Sequence, residues 1–191
     1  MKASFMLTTK RNLRDGRVLG LQDPKKARMQ KSKLKTMLIC FFDQEGIVHR
    51  ELVPPGMTVN ADFYCGVLRR LHENVRRKRT QKWQNQNFII HHDNAPVHRS
   101  FKVSQFLAKN NMTVIAHPPY SPDLSPCDFF LFSKLKLRMK GRRFDTIEEI
   151  QERVLDTIPK KNFQGCFQAW QKRWDRCIRA KGEYFEGDGG I

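Results

Sequence analysis

The chain has 191 residues and a formal net charge of +17, with 36 Lys/Arg against 19 Asp/Glu, and 39% of its residues are hydrophobic. That length accommodates one domain with a real core and excludes an array of several, and the apolar share excludes a disordered polyelectrolyte. The charge favours a polyanionic partner, nucleic acid first, although ribosomal, chromatin and anionic-membrane proteins can be as basic.

Residues 1–23 show no clean period, only short apolar pieces such as Ser4–Thr9 and Arg17–Leu21 broken by basic residues. Pro24–Lys35 then carries Lys25, Lys26, Arg28, Lys31, Lys33 and Lys35 and no acid. It reads equally as a solubilising arm and as a segment that lies along a phosphate backbone. Thr36–Phe42 and Ile47–Val53 are β-rich runs on either side of Asp43-Gln-Glu-Gly46, which predicts an antiparallel hairpin. After Pro54-Pro-Gly56, Phe63, Val67, Leu68 and Leu71 fall at helical spacing, with Thr58 or Asn60 as N-cap and a helix running toward Arg79. Its basic end, Arg76, Arg77, Lys78 and Arg79, reads as a DNA contact, a nuclear-import signal or a terminus favoured by the helix dipole.

Phe88–His92 is a short apolar strand, Ser100–Lys109 is helical in pattern, and Thr113–Ala116 is another short strand. Four prolines between Pro118 and Pro126 predict an irregular, stiff loop. Helices are expected over Asp128–Lys140, from a capping box at Thr146 to Ile158, and over Asn162–Lys181, where Phe163, Phe167, Trp170 and Trp174 form a core stripe. Trp83 reads as a packing residue rather than a base stacker.

The five cysteines are odd in number and lack C-x-x-C spacing, so they read as reduced, mostly buried thiols. No apolar run reaches the ~18 residues of a membrane span, and Met1–Lys10 lacks the apolar stretch of a signal peptide. An intracellular protein with no membrane association is expected.

Two carboxylates stand out. Asp93 lies at the polar end of an apolar strand, in His91-His-Asp-Asn-Ala-Pro-Val-His98, and Asp128 closes His117-Pro-Pro-Tyr-Ser-Pro-Asp-Leu-Ser-Pro-Cys-Asp128, with 34 residues between them. On position alone each reads as a turn former or a helix cap. Both surrounding motifs, however, closely resemble those of the mariner transposases, in the Tc1/mariner superfamily of DNA transposases with DDE-type catalytic domains. The resemblance continues through Lys25–Phe42, Gly141-Arg-Arg-Phe144 and Gly182-Glu-Tyr-Phe185 and covers roughly residues 24–188.

The resemblance implies an α/β, ribonuclease-H-like mixed sheet flanked by helices, in which three acids hold two Mg²⁺ or Mn²⁺ ions for DNA cleavage and strand transfer. Such ions, about 4 Å apart, activate the attacking oxygen and stabilise the leaving one, and both prefer hard oxygen ligands. Asp93 matches the second family aspartate and Asp128 the third, as catalytic and metal-holding residues. The first lies in a "G-D-E-x-W" strand that projects to just before Met1, and no such motif occurs here.

The expectation is therefore a weakly patterned segment 1–23 followed by a truncated catalytic domain 24–191. Its first, central strand is missing or substituted, with Ser4–Thr9 the available replacement. Little or no strand transfer and weakened metal binding follow, and the alternative is a non-catalytic DNA-binding or dimer-forming protein. DNA is the expected partner, with a homodimer open, and the nucleus the expected location. Lys25–Lys35, Arg76–Arg79, Lys134–Lys140, Arg142 and Arg143 would give salt-dependent, sequence-independent binding. His92, Asn94, His98 and Tyr120 are assigned to the active-site loops. The histidines read as zinc ligands, as supports of the metal ligands, or as members of local hydrogen bonds.

Overall fold

The computed structural model of the chain describes residues 4–13, 36–86, 88–139 and 155–182, with side chains from residue 37 onward. Outside these lie the basic arm with Lys25, Lys26, Arg28, Lys31, Lys33 and Lys35, the pair Arg142 and Arg143, and most of the helix expected from Thr146.

Five strands form one sheet: β1 (Ser4–Leu13), β2 (Thr36–Asp43), β3 (Gly46–Val53), β4 (Phe88–His92) and β5 (Thr113–Ile115). Their order is β3-β2-β1-β4-β5. The substitute strand foreseen at Ser4–Thr9 does take the central place, and it extends to Leu13. Part of the segment read as weakly patterned thus lies inside the sheet. The apolar piece gives way to Lys10, Arg11 and Asn12 after Thr8-Thr9, so no apolar or alternating signal continues, yet the β2 ladder pairs the backbone from Leu7 to Leu13 whatever the side chains are. β1 runs antiparallel to β2, from Leu7 opposite Phe42 to Leu13 opposite Thr36, and parallel to β4, from Ser4 beside Phe88 to Thr8 beside His92.

The β2–β3 hairpin forms as its turn chemistry predicts. Gly46 adopts φ +120°, closed to other residues, and the Asp43 carboxylate accepts the Glu45 backbone N–H at 2.9 Å. Strand β2 is buried on both faces, so its alternation separates two cores rather than core from solvent. Leu38, Cys40 and Phe42 face one, and Ile39 and Phe41 the other.

On the Ile39/Phe41 side lies helix α1 (Ala61–Lys78), which buries Tyr64, Cys65, Val67, Leu68, Leu71 and Val75. Of the two candidate N-caps, Asn60 does the work, its side chain accepting from Phe63 N–H at 2.8 Å. Beyond Arg79 a short helix α2 (Thr80–Gln84), not foreseen, carries Trp83 back onto Phe88, the rings stacked at 6.2 Å. Trp83 is a packing residue, as expected. Helix α3 (Phe101–Lys109) completes this layer through Val103 and Leu107.

On the other side, a 3₁₀ turn at Pro122–Leu124 and a π-helical run at Cys127–Phe132 lead into α4 (Ser133–Met139), and α5 (Lys160–Arg179) closes the layer. The expected aromatic stripe is core: Phe163, Phe167 and Trp170 are buried and Trp174 packs at the edge. The loop after Pro118 is therefore less irregular than its prolines suggested, and the helix holding Asp128 starts one residue earlier and with a wider turn. Four cysteines are buried and Cys177 partly so, all of them free thiols. Burial pushes Cys40 up to about 12 and Cys166 higher still, so both stay protonated. No helix among the described residues is long and apolar enough to cross a membrane.

One buried carboxylate ties the hairpin to the α1–α2 corner. Asp43 is fully buried and accepts from Arg79 Nε and Nη2 at 2.8 and 2.9 Å and from Lys82 at 2.7 Å. Burial alone would raise its pKa, but the two cations hold it below the usual carboxylate range. A depressed carboxyl adds stability above the unfolded value of ~3.9, which is lost as pH falls through the folded value. Asp43→Ala should cost about 3 kcal/mol, since two half-buried cations lose their main partner. Glu45, 41% exposed and 2.8 Å from Lys82, is worth less than about 1 kcal/mol. Urea unfolding of the two alanine variants checks the order; equal losses would refute it.

Candidate active site at the end of the parallel strands

β1 and β4 point the same way, so residues just beyond β4 emerge at the edge of the sheet where ligands of open α/β folds bind. Asp93 is the first of them, its side chain 33% exposed. It is held from two sides: Ala95 N–H donates to Oδ1 at 3.1 Å, and His98 Nδ1 lies 2.8 Å from Oδ1 and 3.1 Å from the Asp93 carbonyl. Both contacts call for a donor, which places the His98 hydrogen on Nδ1. The Nε2 of this buried ring has no hydrogen-bond partner among the described residues. Aromatic packing holds it instead, with His92 stacked at 4.6 Å and 12° and Tyr64 at 4.3 Å.

Strand alternation sends the two histidines of β4 to opposite faces. His92 turns toward α1, where its Nδ1 lies 3.2 Å from the Tyr64 hydroxyl. His91 turns toward α5, packs on Trp170 at 5.0 Å and bonds His117 through Nε2 to Nδ1 at 3.2 Å. The histidines thus form local hydrogen bonds, and no group of three His, Cys, Asp or Glu able to hold a metal ion occurs among the described residues.

Asp128 comes from the opposite layer, in the first turn of the π-helical run. Its N–H bonds the Ser125 carbonyl at 2.8 Å, and its own carbonyl accepts the Ser133 hydroxyl at 2.9 Å. A serine five residues on thereby satisfies a carbonyl in the widened turn. The loop between the carboxylates is pinned at both ends. Asn94 donates to the His117 carbonyl at 2.7 Å, Trp170 Nε1 to the Leu124 carbonyl at 2.8 Å, and Arg173 to the Asp123 carbonyl at 3.3 Å. Burial pushes the His117 pKa below its ordinary value, and the charges of Asp93, Asp128 and Asp123 oppose that shift. Tyr120, at φ +53°, stands fully exposed on this loop.

Tyr64, His117, Ser133, Trp170 and Arg173 were not singled out as site residues. His117 alone had a signal, as the residue that opens the proline-rich motif.

The basic end of α1 is partly committed elsewhere. Arg79 is bound to Asp43, Lys78 donates to the Val48 carbonyl at 2.9 Å, and Arg76 pairs with Glu73 at 2.5 Å. Arg77 is exposed.

Residues 18–85 match the family model described as transposase, partial DDE domain. The chain is 34% identical over 164 residues to the mariner Mos1 transposase of Drosophila mauritiana, covering 84% of this chain and 48% of that protein. The crystal structure of the Mos1 catalytic domain superposes with a TM-score of 0.77 at 30% identity, covering 95% of this chain and 84% of that one. This chain belongs to the mariner family of transposases. Its sheet is accordingly the ribonuclease-H-like sheet of that catalytic domain. The Mos1 paired end complex with Mn matches as well, with a TM-score of 0.83 at 30% identity over 95% of this chain and 56% of that one. The chain spans about half the length of the Mos1 protein.

Tested against the two-ion chemistry of such a domain, the described residues fit in part. Asp93 and Asp128 are suitable oxygen donors, but β1, Ser4–Leu13, contains no carboxylate. One step past the Thr8/His92 pair, the residue level with Asp93 is Thr9. Among the described residues, the motif carboxylates at this edge are Asp93 and Asp128, and the central strand adds none.

Burial, reinforced by His117 and opposed by Asp93, pushes His91 down to about 4. The unfolded imidazole, near 6.5, binds a proton that the native one refuses, so stability falls as pH drops from about 6.5 to about 4, by up to about 3 kcal/mol. Below that window the contribution is gone. Replacing His91 by Gln should flatten this part of the pH profile in urea unfolding, and an NMR titration showing the native His91 ring protonating near 6.5 would contradict the reading.

Proposed function

We propose that this mariner catalytic domain binds DNA, holds at most one divalent cation at the Asp93/Asp128 pair, and does not by itself cleave or join strands. The observation that carries the reading is the absence of any carboxylate on the central strand, with Thr9 level with Asp93. A hydrated Mg²⁺ or Mn²⁺ held by two carboxylates keeps most of its waters and makes a weak site. When bound, such an ion supplies charge for a phosphate oxygen. The chain's own residues do the rest: His98 and the Ala95 N–H orient Asp93, while Ser133 and Ser125 fix the turn that carries Asp128.

The net charge of +17 supports the DNA part. So does α5, whose sequence has six Lys or Arg against one acid, with Lys160, Lys161, Lys172 and Arg179 exposed. Mos1 forms a paired end complex with Mn, which makes a second copy and transposon ends the natural partners and the nucleus the place of action. Lys25–Lys35, Arg77, Arg142 and Arg143 belong to the proposed DNA contacts; Arg79 serves the fold instead, and Lys78 is partly occupied by its bond to Val48. Contacts of this kind are to phosphates, so affinity falls steeply with salt and needs no metal.

Two measurements test the proposal. Incubated with supercoiled plasmid and Mg²⁺ or Mn²⁺, the chain should show no nicking above a protein-free control. Nicking that is lost in Asp93→Asn would overturn it. Titrated with Mn²⁺, the chain should bind one ion weakly and the double variant Asp93→Asn/Asp128→Asn none. Thr9→Asp should raise the affinity at least about tenfold, since each added carboxylate ligand tightens such sites.

A further inference from the structure

We propose that Tyr120 is a stacking platform for an unpaired nucleobase of a DNA strand lying across the Asp93/Asp128 edge, an inference that rests on the DNA-binding reading above. The aromatic rings of both cores are packed away, yet the Tyr120 ring is 100% exposed. Its backbone sits at φ +53°, a left-handed conformation that is unusual for a bulky residue and that persists only where the surroundings enforce it. Here they do. Pro118, Pro119 and Pro122 restrict the chain, the Ser121 hydroxyl donates to the Pro119 carbonyl at 3.0 Å, and Leu124 N–H bonds the Ser121 carbonyl at 3.0 Å. The foot of the loop is buried at Leu124 and bonded to Trp170, and its start is bonded to Asn94. The ring is therefore displayed at a fixed point rather than on a loose tether.

That point lies on the loop bonded to the Asp93 turn. Tyr120 is three residues from His117, whose carbonyl accepts from Asn94, the residue after Asp93, at 2.7 Å and whose ring bonds His91 at 3.2 Å. A strand with its phosphate there brings the neighbouring bases within reach of the loop. A rigid, amphipathic ring offers such a base a face to stack on at little entropic cost. Within a duplex the base faces are covered by neighbouring pairs, so the site favours a nucleotide that is unpaired or frayed at a strand end.

The test uses the whole chain and two DNAs, a blunt duplex and the same duplex with a short single-stranded extension containing 2-aminopurine. The wild-type chain should prefer the extended DNA and quench the 2-aminopurine on binding. Tyr120→Ala should reduce the preference by about 5- to 150-fold and abolish the quench, the range typical of losing one base–aromatic stack. Tyr120→Phe, which keeps the ring, should retain both, and circular dichroism checks that each variant is folded. Binding of both DNAs with neither preference nor quench in the wild-type chain, or an alanine variant that behaves as wild type, overturns the stacking role and leaves DNA binding standing. A wild-type chain that binds neither DNA at low salt overturns the DNA reading and this inference with it.

Discussion

The parallel pairing of β1 with β4 is the constraint on which the rest depends. Because the two strands point the same way, the end of β4 and the residues after it surface at one edge of the sheet, and Asp93 surfaces with them. β5 adds a second parallel step, and its exit delivers His117 and the proline-rich loop to the same edge. Asp128 reaches it only from the facing layer, at the start of a helix whose own position is set by the core beneath Leu38, Cys40 and Phe42. A change of register in β1 would leave the two carboxylates in sequence but separate them in space.

The sequence made the hairpin, α1 with its Asn60 cap, β4, α3 and the aromatic stripe of α5 legible, since each depends on local period or turn chemistry. The two aspartates were legible through the motifs around them and not through their positions. What escaped notice depends on partners distant in the chain. Only the Ser4–Thr9 part of β1 was offered as a replacement strand, and its continuation through Lys10 to Leu13 follows from the ladder with β2. The tip of Trp170 reads as core from its spacing, but its Nε1 is a clamp on a loop 46 residues away. The π-helical turn at Cys127–Phe132 answers the need to bury Cys127, Phe130, Leu131 and Phe132 together, and a helical period cannot announce it.

The polar residues beneath the site follow the same division. β4 ends in two histidines, and alternation assigns one to each core. His91 is kept neutral against Trp170 and His117, while His92 stacks with His98 under Tyr64. Burying imidazoles as neutral rings costs far less than burying charges, provided their N–H groups find acceptors. The His98 N–H finds the Asp93 carboxylate, so the packing of the α1 core sets the direction in which that carboxylate points.

The charge distribution follows from how the few acids are used. Asp43, Glu51, Asp62, Glu73 and Asp156 each pair with a Lys or Arg, namely Arg79 with Lys82, Arg70, Lys102, Arg76 and Arg50. The four one-to-one pairs are neutral, as is the Asp43 cluster once Glu45 beside Lys82 is counted, at a distance beyond roughly one Debye length, about 8 Å at physiological salt. A polyanion approaching the molecule therefore meets mainly the remaining cations. The basic run at the end of α1 shows why counting charges along the sequence overstates this. Arg79 and Lys78 belong to the fold, and the field that DNA would feel must come from exposed cations such as Arg77 and those of α5. Among the described residues, Asp93 and Asp128 bring two carboxylates to one edge of a chain whose net charge is +17. A divalent ion between the two carboxylates would offset their charge and draw a phosphate closer, while the surrounding cations hold a strand along this edge without it.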